Sequence, residues 1–409
     1  MTNIERYIYD LVKSNLWLKQ LIVQIYQRIF ALVPKRKVIS KSHITVREGY
    51  FFGFHDKSPW SHDNKFLLAH KFKINNRMPL VGETVTIGYF DGHNWDKFHA
   101  ITDSKAWNWQ TGSMLQWLGK RNELLFNDYD GEKYITRILS INGELLNTLN
   151  LPVAAISPDG KYAISHSFSR LRTGALAYGY PYSRNDQEKP VDENEYLILV
   201  NLAKKTEMNL FSLKDIYEIK PNETMLNSFH YFTHCLFAPS NERFVFYHRW
   251  VNHKKQVFTR MFSCNIDGSE LFLFPAKGMV SHISWKNNEQ ILAYARTSDG
   301  DHYYVFTDKN GKVERLNSDL FTSDGHPQYS KNGEIITDTY PDKYRYQHLI
   351  YFDEITKNYI KLAKLKSPFK FVGNVRCDLH PRWDRTSKMI SFDSAHTGTK
   401  SLCTMEVTK

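Results

Sequence analysis

Residues 155–166, AISPDGKYAISH, contain the pattern that decides the fold. Two short apolar runs flank a turn made of Pro158, Asp159 and Gly160, which predicts two antiparallel strands joined by a tight turn. The same pattern, an apolar anchor followed by a polar turn and an aliphatic run, occurs seven times in the chain. The seven anchor residues are Trp60, Trp117, Ile156, Phe237, Trp285, Tyr329 and Trp383.

The spacing of these copies predicts a β-propeller. Successive anchors are about 54 residues apart on average, which leaves room for four strands in each copy. We therefore predict an all-β fold, a seven-bladed propeller over residues 38–409. The SPDGK turn at residues 157–161 resembles the turn of the TolB-type propeller repeat, and this resemblance concerns fold rather than function.

The two ends of the propeller are predicted to close the ring together. After Trp383, only two more strands fit, at residues 388–394 and 401–407. Residues 42–48 alternate between apolar and polar side chains and precede the first blade. We expect them to supply the outer strand of the last blade, because a closed ring leaves no exposed sheet edge.

Residues 1–37 are predicted to form an N-terminal segment with an amphipathic helix. Gln20, Gln24 and Gln27 recur on one side of the helix, and leucine and isoleucine occupy the other. Lys19 and Arg28 argue against a membrane span. Pro34 ends the helix, and a basic run follows it. Two interpretations remain open: the helix lies on an anionic membrane surface, or it packs on its own domain or a partner.

The composition excludes several classes of protein. With 42% hydrophobic and 14% aromatic residues, the chain is not a disordered protein. The four cysteines are far apart and no secretory signal is visible, so we expect reduced thiols in a cytoplasmic protein. The protein could also be bound peripherally to the inner membrane surface. The net charge of +11 suits an acidic glycan or an anionic lipid. No nucleic-acid-binding motif is present, so we expect no nucleic-acid partner.

Four of the 17 histidines occupy one position of the repeat. His234, His282, His326 and His380 each stand three residues before an anchor, in four consecutive blades. The innermost strands of a propeller line its central channel, so these imidazoles are predicted to converge at one height. Such a ring can hold a divalent metal such as Mn²⁺, Fe²⁺ or Zn²⁺, perform acid–base chemistry, or simply fill the channel mouth with polar packing.

Other polar residues are expected at the same mouth of the channel. His166, Tyr247 and Asp393 stand ten residues after an anchor and are expected opposite the histidine position across the strand pair. Arg376 precedes the innermost strand of the last blade. We predict that these four residues bind substrate.

The candidate site also includes residues that precede the first two anchors and residues of one long loop. His55 is a candidate catalytic residue and Asp56 a candidate substrate-binding residue, and both precede the first anchor. Asn108 and Gln110 precede the second anchor between tryptophans, as in surfaces that bind sugars. The longest interval between anchors contains a loop rich in Gly, Tyr and Arg, typical of a binding loop. Its Tyr180 is predicted to stack on a sugar.

Two of the histidine segments resemble those of a known family. GHPQYSKNGEIITD from Gly325 and LHPRWDRTSKMISFDS from Leu379 resemble the repeats of the oligogalacturonate lyases. The resemblance implies a seven-bladed propeller that holds Mn²⁺ through histidines and cleaves uronate oligosaccharides by β-elimination. It implies His282, His326 and His380 as metal ligands.

The same resemblance implies catalytic residues. His234 would be the catalytic base or a fourth ligand. The family also uses a catalytic arginine, for which Arg170 and Arg172 are the candidates if their loop folds over the channel.

Three functional hypotheses follow. The first is a metal-dependent carbon–oxygen lyase that acts on acidic glycans. The second is a membrane-surface propeller that serves surface-polysaccharide assembly as a scaffold or with a transferase. The third is a protein-interaction propeller in which the histidines are polar packing.

Overall fold

The computed structural model describes residues 16–31, 38–182, 189–316, 320–321 and 323–409. Within this part of the chain, the strands form seven antiparallel sheets that follow one another in chain order. The predicted all-β, seven-bladed propeller is therefore confirmed.

The strands have the following bounds. Two precede the first blade: β1 (Ile39–Ser40) and β2 (Ile44–Glu48). Blade one contains β3 (Tyr50–Phe51), β4 (Leu67–Lys71), β5 (Val85–Asp91) and β6 (Lys97–Ser104). Blade two contains β7 (Gln116–Trp117), β8 (Glu123–Tyr129), β9 (Tyr134–Ser140) and β10 (Leu145–Leu149). Blade three contains β11 (Ala155–Ile156), β12 (Tyr162–Ser165), β13 (Tyr196–Asn201) and β14 (Thr206–Ser212).

The remaining blades follow the same plan. Blade four contains β15 (Phe229–Phe237), β16 (Arg243–Val251), β17 (Val257–Asn265) and β18 (Phe272–Leu273). Blade five contains β19 (Val280–Trp285), β20 (Gln290–Thr297), β21 (Gly300–Thr307) and β22 (Val313–Arg315). Blade six contains β23 (Gln328–Tyr329), β24 (Glu334–Asp338), β25 (Tyr346–Asp353) and β26 (Tyr359–Lys366). Blade seven contains β27 (Arg382–Trp383), β28 (Met389–Ser394) and β29 (Ser401–Glu406).

Both N-terminal strands add to blades at the end of the chain. β2 pairs antiparallel with β29 as the outer strand of blade seven. β1 pairs with β26 and gives blade six a fifth strand. The two ends of the propeller are thus joined by backbone hydrogen bonds.

Three of the tryptophan anchors bind their blade to the one before it. The indole Nε1 of Trp117 donates to the carbonyl of Pro59, that of Trp285 to Leu236, and that of Trp383 to Gln328. A buried tryptophan fills the space between neighbouring sheets and needs a partner for its N–H. This requirement explains why the anchor is tryptophan in several blades.

In the described ranges, three α-helices accompany the sheets. They are α1 (Leu16–Ala31), α2 (Phe168–Gly174) and α3 (Leu213–Glu218). Helix α1 covers part of the predicted N-terminal segment, whose residues 1–15 and 32–37, including the basic run after Pro34, lie outside the described residues. No helix in the described ranges is long and apolar enough to cross a membrane.

Candidate metal centre

Five histidines from five blades meet at the centre of the propeller. The ring centroids of His282 and His326 are 3.8 Å apart, and those of His326 and His380 are 4.2 Å apart. His55 lies 5.4 Å from His326. His234 is separated from them by Phe54, whose ring is 5.1 Å from His234 and 5.0 Å from His380. The structure therefore brings together all four aligned histidines and His55.

Two of the aligned histidines lie at irregular points of the innermost strands. His234 lies at a bulge of β15 with a positive φ of 53°, so that Tyr247 pairs with Thr233 instead. His282 lies at an irregularity of β19, where Ala295 pairs with Val280. The expected cross-strand pairing of these two histidines with the residues ten after the anchor is therefore wrong, because extra residues in the bulged strand shift the register. His326 and His380 stand two residues before β23 and β27.

Three histidines of the centre are oriented through their Nδ1 atoms. His326 Nδ1 donates to Asp338 at 2.8 Å, His55 Nδ1 to the Pro327 carbonyl at 3.0 Å, and His380 Nδ1 to the Gly53 carbonyl at 3.0 Å. Because the acceptor in each pair is a carbonyl or carboxylate oxygen, Nδ1 carries the proton. The other nitrogen, Nε2, is then left with a free lone pair.

These Nε2 atoms have no hydrogen-bond partner among the described residues. They belong to His55, His326 and His380, which are at most 2% exposed. A buried polar atom without a partner is costly unless something binds it. Histidine ligands of metals typically donate through one nitrogen to a carbonyl or carboxylate and ligate through the other.

A carboxylate completes the group of potential metal ligands. Ligand atoms of His326, His380 and Asp378 lie within 4.8 Å of one another, and all three residues are buried. Two neutral imidazoles and one carboxylate with open positions suit a divalent transition metal. The donor set therefore fits Mn²⁺, with Asp378 in the place where the sequence predicts His282. His282 lies beside His326, with its Nδ1 between Ser281 and Asp324.

Burial keeps most of these imidazoles neutral. It lowers the pKa of His55, His234 and His380 well below the ordinary value, and the neighbouring histidines lower it further. At His326, burial also acts to lower the pKa, but the carboxylate of Asp338 outweighs it and leaves the pKa raised. Neutral imidazole is the form that binds metals and accepts protons.

Arg376 and Tyr178 lie at the mouth of this centre. Arg376 Nε donates to Asp378 at 2.6 Å, and its Nη2 donates to the Tyr178 hydroxyl at 3.1 Å. The Tyr178 ring lies 5.5 Å from His234. Arg376, which is predicted to bind substrate, is thus connected to His234 through Tyr178 and to the candidate ligand Asp378 directly.

Asn108 and Gln110 position these mouth residues. Asn108 Nδ2 donates to the Tyr178 carbonyl at 2.9 Å, and Gln110 Nε2 donates to the Arg376 carbonyl at 3.1 Å. Both amide side chains are buried. Both side chains therefore hold the backbone of the mouth, and their role in binding substrate stays a prediction.

The loop arginines donate to backbone carbonyls of their own loop and of strand β15. Arg170 is buried and donates to the carbonyls of His230, Lys189 and Pro190, and Arg172 donates to the Tyr180 carbonyl. Both guanidinium groups therefore hold the loop that carries Tyr178.

Tyr180 lies in the core of blades two and three. It is fully buried, stacks on Phe168 at 4.6 Å and bonds to Asn127. Its side chain therefore has no face left for a sugar. The neighbouring Tyr182 stacks on Tyr129 at 3.7 Å, along a cleft of about 300 Å³.

Two of the residues ten after the anchor join neighbouring blades instead of binding substrate. Asp393 accepts from the backbone of Phe52 and Gly53 in blade one, and Tyr247 donates to the Ser281 carbonyl in blade five. Both side chains therefore form hydrogen bonds with buried backbone groups of the next blade, which need partners.

His166 and Asp56 flank the centre without joining it. His166 stacks on Phe168 at 4.8 Å, with a buried Nδ1 that has no partner among the described residues. Asp56 is paired with Lys57 at 2.7 Å. Both line a small cavity of about 30 Å³ that His234 also borders, which is enough space for one water molecule.

The carboxylates of the centre are absent from the predicted site. Asp338 accepts from His326 and from the backbone of Leu379 and His380, which joins blades six and seven. One signal for two such residues does exist: Asp324 and Asp378 each stand two residues before an aligned histidine.

Comparisons with known proteins agree with the fold. No protein-family model and no curated protein matches the sequence. An oligogalacturonate lyase in complex with manganese is similar in structure, with a TM-score of 0.63 and 12% identity over 91% of this chain and 96% of that one. An oligogalacturonate lyase from Vibrio parahaemolyticus gives a TM-score of 0.61 and 11% identity over 92% and 99% of the two chains.

A further propeller resembles this chain less closely. The propeller domain of the Trilobed protease from Pyrococcus furiosus gives a TM-score of 0.50 and 11% identity, over 83% of this chain and 92% of that one. The predicted resemblance to the oligogalacturonate lyases is thus confirmed for the fold. At such identities, the likeness establishes architecture alone.

Proposed function

We propose that this protein is a metal-dependent lyase that cleaves uronate-containing oligosaccharides by β-elimination. The observation that carries the proposal is the set of buried Nε2 atoms without partners at His55, His326 and His380. His326, His380 and Asp378 would hold Mn²⁺ or a similar divalent ion, with His282 beside them. When bound, such an ion supplies positive charge that stabilises the carboxylate of a uronate as its α-proton is removed.

The residues at the mouth would bind and orient the sugar. Arg376 would pair with the uronate carboxylate through the guanidinium face that is not bonded to Asp378. The sugar ring would lie at the mouth beside Tyr178, whose ring is 5.5 Å from His234, because Phe54 fills the space between His234 and His380. Asn108 and Gln110 would keep Tyr178 and Arg376 in place through their backbone bonds.

His234 would act as the catalytic base. Its low pKa keeps the ring neutral near pH 7, because burial disfavours the imidazolium and Arg249 adds to this effect. The Nδ1 atom is 2.8 Å from the Thr233 hydroxyl, which would fix the ring so that Nε2 accepts the α-proton.

An assay of the purified full chain tests the proposal. Mn²⁺-loaded protein is mixed with uronate oligomers of several linkages, and the ultraviolet absorbance of the unsaturated product is followed. We expect product formation that a chelator stops and added Mn²⁺ restores. The His234→Gln variant should bind Mn²⁺ normally and lose at least about 100-fold in turnover, since general base catalysis contributes this much.

A variant outside the centre serves as the control. The buried His248 lies outside the centre, so His248→Phe should keep the activity. Stoichiometric Mn²⁺ without product on any uronate oligomer would contradict the lyase and favour a polysaccharide-assembly scaffold or a protein-interaction propeller.

A further inference from the structure

Helix α1 presents its apolar face away from the propeller. The side that contacts blade six carries Gln27, which accepts from Arg345 at 3.4 Å, and Phe30, which packs edge-on against Tyr344 at 5.0 Å. Leu21, Ile25 and Ile29 recur at every fourth residue on the opposite side. They are 38%, 50% and 60% exposed. The packing of α1 on its own domain therefore leaves these apolar side chains without a partner among the described residues.

Two more exposed apolar residues lie at the same end of blade six. Val38 and Ile39 are 43% and 60% exposed. Ile39 pairs with Lys364 on β26. Tyr346 pairs with Lys366 on the same strand and directly follows Tyr344 and Arg345, which contact α1. The helix and β1 thus both lie on blade six, and we call their exposed apolar residues the apolar patch (Leu21, Ile25, Ile29, Val38 and Ile39).

The surroundings of the apolar patch are basic. Residues 355–375 contain five lysines and no acidic residue. Lys364 and Lys366 lie over the Tyr346 ring at 4.4 and 4.8 Å, and Arg28 is exposed on α1. Aliphatic side chains beside cations match a membrane interface, where acyl chains lie next to anionic headgroups.

We propose that this apolar patch docks the propeller on a membrane surface that contains anionic lipids, with α1 lying in the plane of the interface. A second copy of the chain fits the patch less well, because a symmetric contact would place the lysines of one copy near those of the other. The proposal does not rest on the lyase activity, which is assayed on soluble oligomers.

Vesicle flotation of the full chain tests this docking. We expect the protein to float with vesicles of phosphatidylcholine and phosphatidylglycerol, to float much less with phosphatidylcholine alone, and to be released by salt. The double variant Ile25→Ser/Ile29→Ser should bind anionic vesicles at least about tenfold more weakly. Its melting temperature should stay unchanged, because both side chains are exposed.

A matched variant distinguishes docking from general stickiness. Leu80 and Val81 are 60% and 66% exposed in blade one, so Leu80→Ser/Val81→Ser should bind vesicles like the wild type. Equal loss in both variants, or no flotation of the wild type, would overturn the proposal. A dimer in light scattering that the Ile25→Ser/Ile29→Ser variant loses, without vesicle binding, would show self-association instead and also overturn it.

Discussion

Two clusters of buried histidines lie in this propeller, and they differ in what their nitrogens do. In blade four, His230 Nδ1 is 2.9 Å from His248 Nε2, His230 Nε2 donates to the Met225 carbonyl at 2.9 Å, and Arg260 donates to His248 Nδ1 at 3.0 Å. All four nitrogens of this structural pair have partners. In the central cluster, only Nδ1 is bonded at His55, His326 and His380.

This difference separates a structural role from a candidate site. Burial and a low pKa are common to both clusters, because desolvation disfavours any imidazolium. Only the central cluster leaves lone pairs for another group. An unbonded Nε2 aimed at its neighbours is therefore the feature that indicates ligation, and the following experiments test it.

The largest expected effect is the removal of a metal ligand. His380→Ala should weaken Mn²⁺ binding at least about 100-fold, because it removes a donor and not merely its support. Titration calorimetry of the metal-free protein measures this change. Unchanged affinity in a folded variant would place the metal elsewhere.

A smaller effect is expected when the support of a ligand is changed. Asp338→Asn keeps the size of the side chain but weakens its hold on His326 and on the backbone of His380. Mn²⁺ affinity should fall about 10- to 100-fold, and urea denaturation should show a loss of stability. If the variant loses stability but binds Mn²⁺ normally, Asp338 stabilises the contact between blades and does not support metal binding.

The smallest expected effect concerns the structural pair and pH. Burial lowers the pKa of His230 to about 4, so the unfolded chain binds more protons than the folded one between this value and about 6.5. The resulting stability is complete above pH 6.5 and is lost as the pH falls toward 4. Between pH 7 and 5.5, His230 should account for a loss of roughly 1 kcal/mol.

The variant His230→Phe should lose less stability than the wild type over this pH interval in urea denaturation. Identical pH curves for the two proteins would show that His230 titrates normally in the folded state. Mn²⁺ binding should be the same in both.

The sequence predicted the fold well because each blade repeats the same local signals. A tryptophan or other large anchor, a turn such as residues 157–161 and an aliphatic run are properties of neighbouring residues. The convergence of four histidines followed from their shared position in the repeat. These features need no knowledge of distant contacts.

The remaining site residues depend on contacts between blades. Asp338 accepts a hydrogen bond from the backbone of His380, which lies 42 residues later in the chain. No local pattern in either segment predicts this bond. Arg170 was predicted from the family resemblance and Tyr180 from the composition of the loop, but the loop turns both inward to satisfy backbone carbonyls and fill the core. Asp378 was not predicted as a metal ligand, although it stands two residues before His380.

Metal analysis of matched variants tests the central claim most directly. The wild type, His326→Ala and His248→Phe are each dialysed against Mn²⁺ and analysed for bound metal, with circular dichroism as the measure of folding. The account predicts stoichiometric metal in the wild type and in His248→Phe and none in folded His326→Ala. Equal metal content in the two variants, or none in the wild type, would contradict it.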